Sequence, residues 1–428
     1  MKKMITRTGV VCAIAAAVML TGCSSSTPTP GTSGSDTGST PSSTGTVDIT
    51  YWYWQDNATD QTWQQLADKF NASQSAVHVT MQSYPLANYQ DQLVTATMNG
   101  TAPDAARCKD WWIGQLAPGG ALAPLDDYIN AWSGKSDVVP ALWATGELPG
   151  SSTVYMMPHQ YTTLYMYYRK DLFAAAGLSE PKTQQDVLND AKALTNGNGQ
   201  YGIDVRGGSG GQDQWLAWMY AGGANVVDST GSVVLDDSTA VAVNQTYLDL
   251  NQYAPPGSIT AAFADVQTNF TSGVTAMMIH HVGSLSTMRT TFGDNLGVIP
   301  IPTADGQPGA TLGTMSGNVI MAGSTKKDAA WAWISWLDSQ DAMTTMSESP
   351  QGQLPVLNSV ISLPFFQQDP GTVVATTAIA TAKTWPGLPG VAQLSGSDWS
   401  PTIQQAFQGQ LTSQQMLTTM ANVLRNGQ

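Results

Sequence analysis

The chain has 428 residues, with 17 basic and 31 acidic side chains and a formal net charge of −14 at pH 7. An acidic chain without a basic stripe is not expected to bind nucleic acid or to dock electrostatically on anionic lipid. Charged residues are only 11% of the chain, so we expect neutral Gln, Asn, Ser and Thr side chains to supply most of the polar surface.

The first 22 residues have the pattern of a secretory signal peptide. Basic residues come first, and the apolar run at 9–20 is too short to span a bilayer comfortably. Residues 20–23, Leu-Thr-Gly-Cys, fit the lipoprotein processing box, in which cleavage leaves Cys23 first and its thiol accepts a diacylglyceryl group. We therefore predict an exported protein that is lipid-anchored through Cys23 on the extracellular face of the cell membrane.

Residues 23–46 are predicted to form a disordered tether. They consist almost entirely of Ser, Thr, Pro and Gly, with one charge on Asp36. A segment of this composition has too little apolar surface to offset the entropy lost on ordering. Cys12 leaves with the signal peptide and Cys23 is acylated, so no internal disulfide is expected at the remaining Cys108.

The body of the chain begins with alternating strands and helices. The predicted elements are strands at 47–54 and 77–82, helices at 60–70 and 89–98, and a further strand that begins at Ala102. This alternation is typical of a doubly wound α/β sheet, whose ligand crevice lies beyond the carboxyl ends of the strands. The residues after the first and third strands are therefore candidate ligand contacts: Trp54, Gln55, Asp56, Asp110, Trp111 and Trp112.

The stretch at 154–183 is predicted to cross between two lobes. A polar segment at 159–163 separates two strand-like pieces. The second piece, 164–168, is continuously apolar and aromatic, which is typical of a strand buried on both faces in a parallel sheet. A short helix at 170–176 and a helix stop at Gly177 follow. Because the polar segment lies at the crossing, we expect Gln160 and Tyr161 to line the gap between the lobes.

The order of motifs in this stretch resembles that of extracellular solute-binding protein family 1, whose members serve carbohydrate-importing ABC transporters. The motifs are the polar crossing, the aromatic strand, Arg-Lys-Asp-Leu-Phe at 169–173, Ala-Gly-Leu at 176–178 and Pro-Lys-Thr at 181–183. Other matching motifs are an aromatic helix at 212–219 before Gly-Gly, a strand at 273–279 before two histidines, Ile-Pro-Ile-Pro at 299–302, a strand pair at 311–322, and Gly-x-Leu-Pro at 352–355. The resemblance covers nearly all of residues 47–428.

The resemblance implies an α/β fold of the two-lobed periplasmic-binding-protein type II class, with a hinge of crossing strands. It places 47–157 and 301–350 in the first lobe, and 158–300 and 351–428 in the second. It also implies that the lobes close on a ligand and that ABC permease subunits receive the ligand from a monomeric protein. Further cleft positions follow from it: Asp213, Trp215, His280, His281, Ser316, Trp385 and Trp399.

Tryptophan is unusually abundant, with 14 Trp against 8 Phe. An indole ring stacks on the CH face of a sugar while neighbouring polar groups bind its hydroxyls, so this composition favours a sugar or oligosaccharide ligand. The tryptophans at helical spacing are expected to be core residues: Trp63, Trp331, Trp333 and Trp336. Those after strands or in loops are candidates for stacking: Trp54, Trp111, Trp112, Trp215, Trp385 and Trp399.

The candidate carboxylates and cations allow more than one interpretation. Asp56, Asp110 and Asp213 could accept hydrogen bonds from vicinal hydroxyls, or could cap helices. Arg107 and Lys109 could contact an acidic sugar or lie in a solvated loop.

Two other functions stay open. A ferric-ion or small-anion binder of the same fold would use Tyr165, Tyr167 and Tyr168. A surface glycosidase or lyase would need paired carboxylates, but no catalytic motif is present, so no enzyme activity is predicted.

Neither a cofactor nor a metal is expected. The glycine-rich loop at 207–211 lacks the Lys-Ser or Lys-Thr of a phosphate loop. His280 and His281 are adjacent, so on a strand they should point to opposite faces and could not share a metal without a turn.

Overall fold

The computed structural model describes residues 45–54, 60–148, 150–349 and 353–426. The predicted signal peptide, nearly all of the tether with Cys23, and the candidates Gln55 and Asp56 lie outside these ranges. The elements of the first half, in chain order, are β1 (Val47–Trp54), α1 (Thr62–Ser73), β2 (Val77–Tyr84), α2 (Leu86–Met98), β3 (Ala105–Lys109), α3 (Ile113–Leu116), α4 (Asp126–Ala131), β4 (Met157–Arg169), α5 (Lys170–Ala175), α6 (Gln184–Leu194), β5 (Tyr201–Asp204) and α7 (Gly211–Ala221).

The second half contains more helix. Its elements are α8 (Ser238–Leu250), α9 (Phe263–Thr271), β6 (Thr275–His281), α10 (Leu285–Phe292), β7 (Leu296–Ile299), β8 (Gly313–Ile320), α11 (Lys327–Leu337), α12 (Gln340–Ser347), β9 (Leu354–Pro355), α13 (Asn358–Ile361), α14 (Pro364–Gln368), α15 (Pro370–Ala378), α16 (Gly390–Gln393), α17 (Trp399–Phe407) and α18 (Ser413–Asn426). None of the helices in the described ranges is both long and apolar enough to cross a membrane.

The first lobe is built on a sheet with the strand order β2-β1-β3-β8-β4, and β9 also pairs with β4. The strands β2 and β3 run parallel to β1, as the alternating pattern predicts. Helix α1 packs on this sheet through buried Trp63, Leu66 and Phe70, which recur at the predicted spacing. The predicted strand pair at 311–322 is instead the single strand β8, which lies antiparallel between β3 and β4.

The second lobe is built on a smaller sheet in which β4 pairs with β6 and β7, and β6 pairs with β5. Around it, α7 is buried on nearly every side, so its aromatic residues form the centre of this lobe's core. Residues Gly45–Gln428 form one compact unit that contains both sheets.

The crossing strand β4 joins the two sheets. Residues 157–163 pair with β8 of the first sheet, and residues 164–169 pair with β6 and β7 of the second. Two predictions about this stretch are wrong. The polar segment does not interrupt the strand, because a bulge between Pro158 and Gln160 accommodates the proline within a continuous β4. The pairing is antiparallel and not parallel, although the strand is buried on both faces as predicted.

Candidate functional site

Arg107 on β3 connects the carboxyl end of β1 with the crossing strand β4, which lies on the other side of β8. This arginine is fully buried on β3, so the expected solvated loop is not observed. Its Nη1 donates to the carbonyl oxygen of Trp54 at 2.9 Å, and its Nη2 donates to Oε1 of Gln160 and of Gln353 at 3.4 Å each. Arg107 therefore ties the end of β1 to the crossing strand β4 and to Gln353, which directly precedes β9.

Trp54 is enclosed by side chains of the first lobe. The guanidinium carbon of Arg107 lies 3.9 Å from the centroid of its ring, and the rings of Tyr89 and Trp112 meet it edge-on at 5.3 and 5.4 Å. Trp54 is 0% exposed and Trp112 is 4% exposed. Neither ring presents an open face to a ligand in this structure.

Trp111 differs from the other five candidate tryptophans because it alone is only partly buried. Its ring packs against the apolar cores of both lobes. Nζ of Lys109 lies 5.5 Å from the centroid of the Trp111 ring. Trp111 is therefore the candidate ring with accessible surface at the junction of the lobes.

Asp110 places a buried carboxylate at the same junction. Neither of its oxygens has a hydrogen bond of normal geometry with the described residues. Burial raises the pKa of the Asp110 carboxyl to about 7, against the opposing attraction of Lys109 and the nearby amides of Met315 and Trp111. Asp110 does not cap the helical turn that it begins. A carboxylate in this state is available to accept hydrogen bonds from a ligand.

Asp213, in the first turn of α7, faces this group from the second lobe. Nε1 of Trp385 donates to its Oδ1 at 3.0 Å. Burial raises the pKa of the Asp213 carboxyl, while Trp385, Lys109 and Arg206 oppose that shift. Lys109 thus interacts electrostatically with Asp110 of its own lobe and with Asp213 of the other lobe.

The crossing strands supply further buried polar groups. Gln160 and Ser316 are partners in the register of β4 with β8, and Ser316 also pairs with Lys109 of β3. Nε2 of Gln160 and the hydroxyl of Tyr161 donate no hydrogen bond to the described residues. These two side chains are consecutive on a strand and lie on opposite faces, so only Gln160 lies with Arg107.

Trp215 and Trp399 lie in the core of the second lobe and not at its edge. Trp215 is 0% exposed and Trp399 is 1% exposed, and their ring centroids are 6.2 Å apart. Nε1 of Trp215 donates to Oδ1 of Asn244 at 2.7 Å. Both rings are fully packed in the core of the second lobe, so the expectation that they line the cleft does not match their placement.

His280 and His281 lie at the carboxyl end of β6, and the prediction that they point to opposite faces is wrong. Their rings are 5.0 Å apart, and both contact Phe263, at 4.2 and 4.8 Å. The strand ends here, because Nδ1 of His281 accepts a hydrogen bond from the amide of Gly283 at 2.9 Å and starts a helical turn. Burial lowers the pKa of His280, so its ring is neutral at pH 7.

Sequence reasoning missed Arg206 and Phe263. The guanidinium of Arg206 lies 5.5 Å from the Phe263 ring and interacts with Asp213. Arg206 follows β5 almost directly, so the rule that selected Trp54 and Asp110 would also have selected it. Phe263 begins α9, and its position carried no comparable signal.

The tyrosines of β4 lie on opposite faces of the strand. The hydroxyl of Tyr167 donates to that of Tyr165 at 3.2 Å, while Tyr168 donates to Glu180 on the other side at 2.9 Å. Burial raises the pKa of all three phenols, which keeps them protonated. In the described ranges, no group of three or more His, Cys, Asp or Glu side chains is arranged to hold a metal.

Residues 43–344 match the family of bacterial extracellular solute-binding proteins. The chain belongs to this family. The maltotriose-binding protein of Pyrococcus abyssi is 24% identical to it over 371 residues, which are 82% of this chain and 76% of that protein.

Two solved structures resemble this solute-binding protein over most of its length. An ABC transporter solute-binding protein from Thermotoga lettingae, bound with α-D-tagatose, superposes with a TM-score of 0.79 at 24% identity and covers 90% of this chain and 100% of that one. The GacH receptor of Streptomyces glaucescens, solved without ligand and with acarbose, has a TM-score of 0.77 at 24% identity, with coverage of 89% and 98%. These likenesses confirm the two-lobed fold.

Proposed function

We propose that this solute-binding protein is an extracellular carbohydrate receptor that closes its two lobes on a sugar, polyol or oligosaccharide and delivers it to an ABC importer. The observation that carries the proposal is the meeting of Asp110 from the first lobe and Asp213 from the second beside the partly exposed ring of Trp111. A carboxylate can accept hydrogen bonds from two vicinal hydroxyls, and an indole can stack on the apolar face of a pyranose.

Each of these groups has a defined part in the proposal. Trp111 stacks on the sugar, Asp110 and Asp213 accept hydrogen bonds from hydroxyls, and Trp385 orients Asp213. Gln160 donates from the crossing strand. Other residues are proposed either to contact the ligand or to form the walls of its site: Gln55, Asp56, Tyr161, His280, His281 and Ser316.

The similar proteins support a hydroxylated ligand. Their names and bound molecules include maltotriose, tagatose and acarbose. Since the ligand touches both lobes, it makes all of its contacts only in the closed state. Binding therefore shifts the protein toward closure. Energy for transport comes from the partner ATPase.

A thermal-shift screen tests the ligand class. A ligand that binds only the folded state raises Tm by mass action, so at least one mono- or oligosaccharide or polyol should raise it by several degrees. If all of them leave Tm unchanged while ferric citrate raises it, the carbohydrate proposal is wrong.

Incubation of the protein with a binding glycan separates a receptor from a glycosidase or lyase. A receptor leaves the number of reducing ends constant over hours at saturating glycan. A steady release of new ends, abolished in Asp110→Asn, would replace the proposal with an enzymatic one.

The anchor is proposed from the processing box at Cys23, which lies outside the described residues. In cells, a Cys23→Ser variant should leave the membrane fraction for the medium or the soluble exported fraction, while wild type carries fatty acid on its first residue. Membrane retention of Cys23→Ser would contradict lipid anchoring.

A further inference from the structure

A loop of the second lobe touches the first lobe at a glycine. Gly114 lies in α3, two residues after Trp112, and is buried. A Cβ built on Gly114 would lie 2.8 Å from the carbonyl oxygen of Gly387 and 3.1 Å from its carbonyl carbon. Both atoms belong to backbone, so no side-chain rotation can relieve the overlap.

The loop that carries Gly387, residues 384–389, is held firmly by the second lobe. The hydroxyl of Tyr220 donates to the carbonyl oxygen of Thr384 at 2.9 Å, and Trp385 donates to Asp213 at 3.0 Å. The Trp385 ring is 2% exposed and belongs to the core of that lobe. Two prolines, Pro386 and Pro389, further restrict the backbone. The loop cannot retreat from Gly114 without disturbing the side chains that face the ligand site.

We propose that Gly114 is a positioning residue for ligand capture: the absence of a side chain lets the second-lobe loop approach α3 closely enough for Trp111, Asp110, Asp213 and Trp385 to act on one ligand. The inference rests on the proposed function and goes beyond it, because Gly114 touches no ligand. It acts through the distance between the lobes.

A side chain at position 114 should weaken ligand binding without lowering the stability of the protein. A methyl group at position 114 requires the loop and α3 to move apart by about half an ångström or more before the contact is normal. That movement opposes the arrangement of this structure, in which the loop lies against α3. In the helical segment itself, alanine is a better residue than glycine, so the folded first lobe is not weakened.

Isothermal titration of the full mature chain with the sugar that gives the largest thermal shift tests this directly. Gly114→Ala should raise Kd about tenfold, by the usual cost of overpacking, and Gly114→Val should raise it further. Tm of the ligand-free protein should not fall for Gly114→Ala. The matched control is Gly119→Ala, because a Cβ there has only ordinary contacts at 3.6 Å; it should leave Kd within about twofold of wild type. Equal affinity of Gly114→Ala and wild type overturns the proposal, and so does a loss of affinity that is matched by a loss of Tm.

A second measurement keeps this inference independent of the ligand class. Nitroxide labels at Met98→Cys, an 82% exposed site on the first lobe, and Ser229→Cys on the second report the distance between the lobes by pulsed electron resonance. Cys23→Ser removes the anchor, and Cys108 is fully buried. Without ligand, wild type and Gly119→Ala should both retain a population at the inter-lobe distance of this structure, and Gly114→Ala should lose that population. Coincident distributions overturn the inference, even if no sugar binds and the proposed function fails.

Discussion

Trp111 and Trp112 are neighbours in the sequence and occupy different environments. Trp112 is 4% exposed and packs against Tyr89 and Trp54 inside the first lobe. Trp111 keeps accessible surface and contacts the cores of both lobes. The comparison shows that a position after a strand predicts proximity to the cleft, but it does not predict whether the side chain builds the wall or touches the ligand.

The pair of substitutions Trp112→Ala and Trp111→Ala tests this difference and should give the largest effect. Loss of a fully packed indole should lower the free energy of unfolding by about 3–5 kcal/mol in Trp112→Ala. Trp111→Ala should cost about 1–2 kcal/mol while weakening sugar binding about 100-fold. Urea unfolding and calorimetric titration measure the two quantities. Equal losses of stability in the two variants would mean that Trp111 and Trp112 do not differ in their structural roles.

The sequence carries information on local elements, but not on the surroundings of each side chain. Local periodicity predicted β1, α1 and the burial of Trp63 in α1, because those patterns depend on near neighbours in the chain. The enclosure of Trp54 depends on Arg107, Tyr89 and Trp112, which reach it from other elements. Such long-range contacts leave no local pattern, so the accessibility of each candidate tryptophan could not be predicted.

The crossing strand β4 also depends on long-range contacts that leave no local pattern in the sequence. Pro158 and the polar residues after it resembled a break, since proline removes a ladder hydrogen bond. Its partner β8 lies about 150 residues away and accepts the proline at a bulge. Likewise, the adjacent histidines converge on Phe263 because β6 ends at His281, and the end of a strand is poorly predicted from sequence.

Arg107→Lys tests how much the enclosure of Trp54 contributes to the stability of the first lobe. Lysine cannot reproduce the guanidinium contact with Trp54 or the divergent hydrogen bonds to Trp54, Gln160 and Gln353. We expect a loss of about 2–3 kcal/mol in the free energy of unfolding. As a control for charge alone, Lys109→Arg should change it by less than about 0.5 kcal/mol. Similar values for the two variants in urea unfolding would contradict the connecting role of Arg107.

Asp110→Asn tests the burial of the carboxyl group at the junction of the lobes, through the pH dependence of stability. Burial raises the folded-state pKa of Asp110 from 3.8 to about 7. A raised pKa favours the folded state when the group is protonated, so its contribution is complete below about pH 4 and is lost as pH rises through about 7. Asp110→Asn should therefore match wild type near pH 4 and exceed its free energy of unfolding by about 1–3 kcal/mol at pH 8. Parallel stability curves from pH 4 to pH 8 would show that Asp110 is not desolvated.

Lys109→Gln should have the smallest effect. Lys109 lies 5.1 Å from the Trp54 ring and 5.5 Å from the Trp111 ring, and it lowers the pKa of Asp110. Its removal should move the Asp110 titration to higher pH, with a change in stability at pH 4 of less than about 0.5 kcal/mol. The carboxyl carbon signal of Asp110 in NMR reports the midpoint. An unchanged or lower midpoint would mean that the two groups do not interact.

The central claim is that one ligand is held by groups from both lobes. Calorimetric titration of the wild-type ligand into Asp110→Asn and Asp213→Asn at pH 8 tests it most directly, because each substitution alters one lobe and preserves the shape of the side chain. Each variant should bind at least about tenfold more weakly than wild type. Wild-type affinity in either variant would place the ligand on one lobe alone and contradict the account.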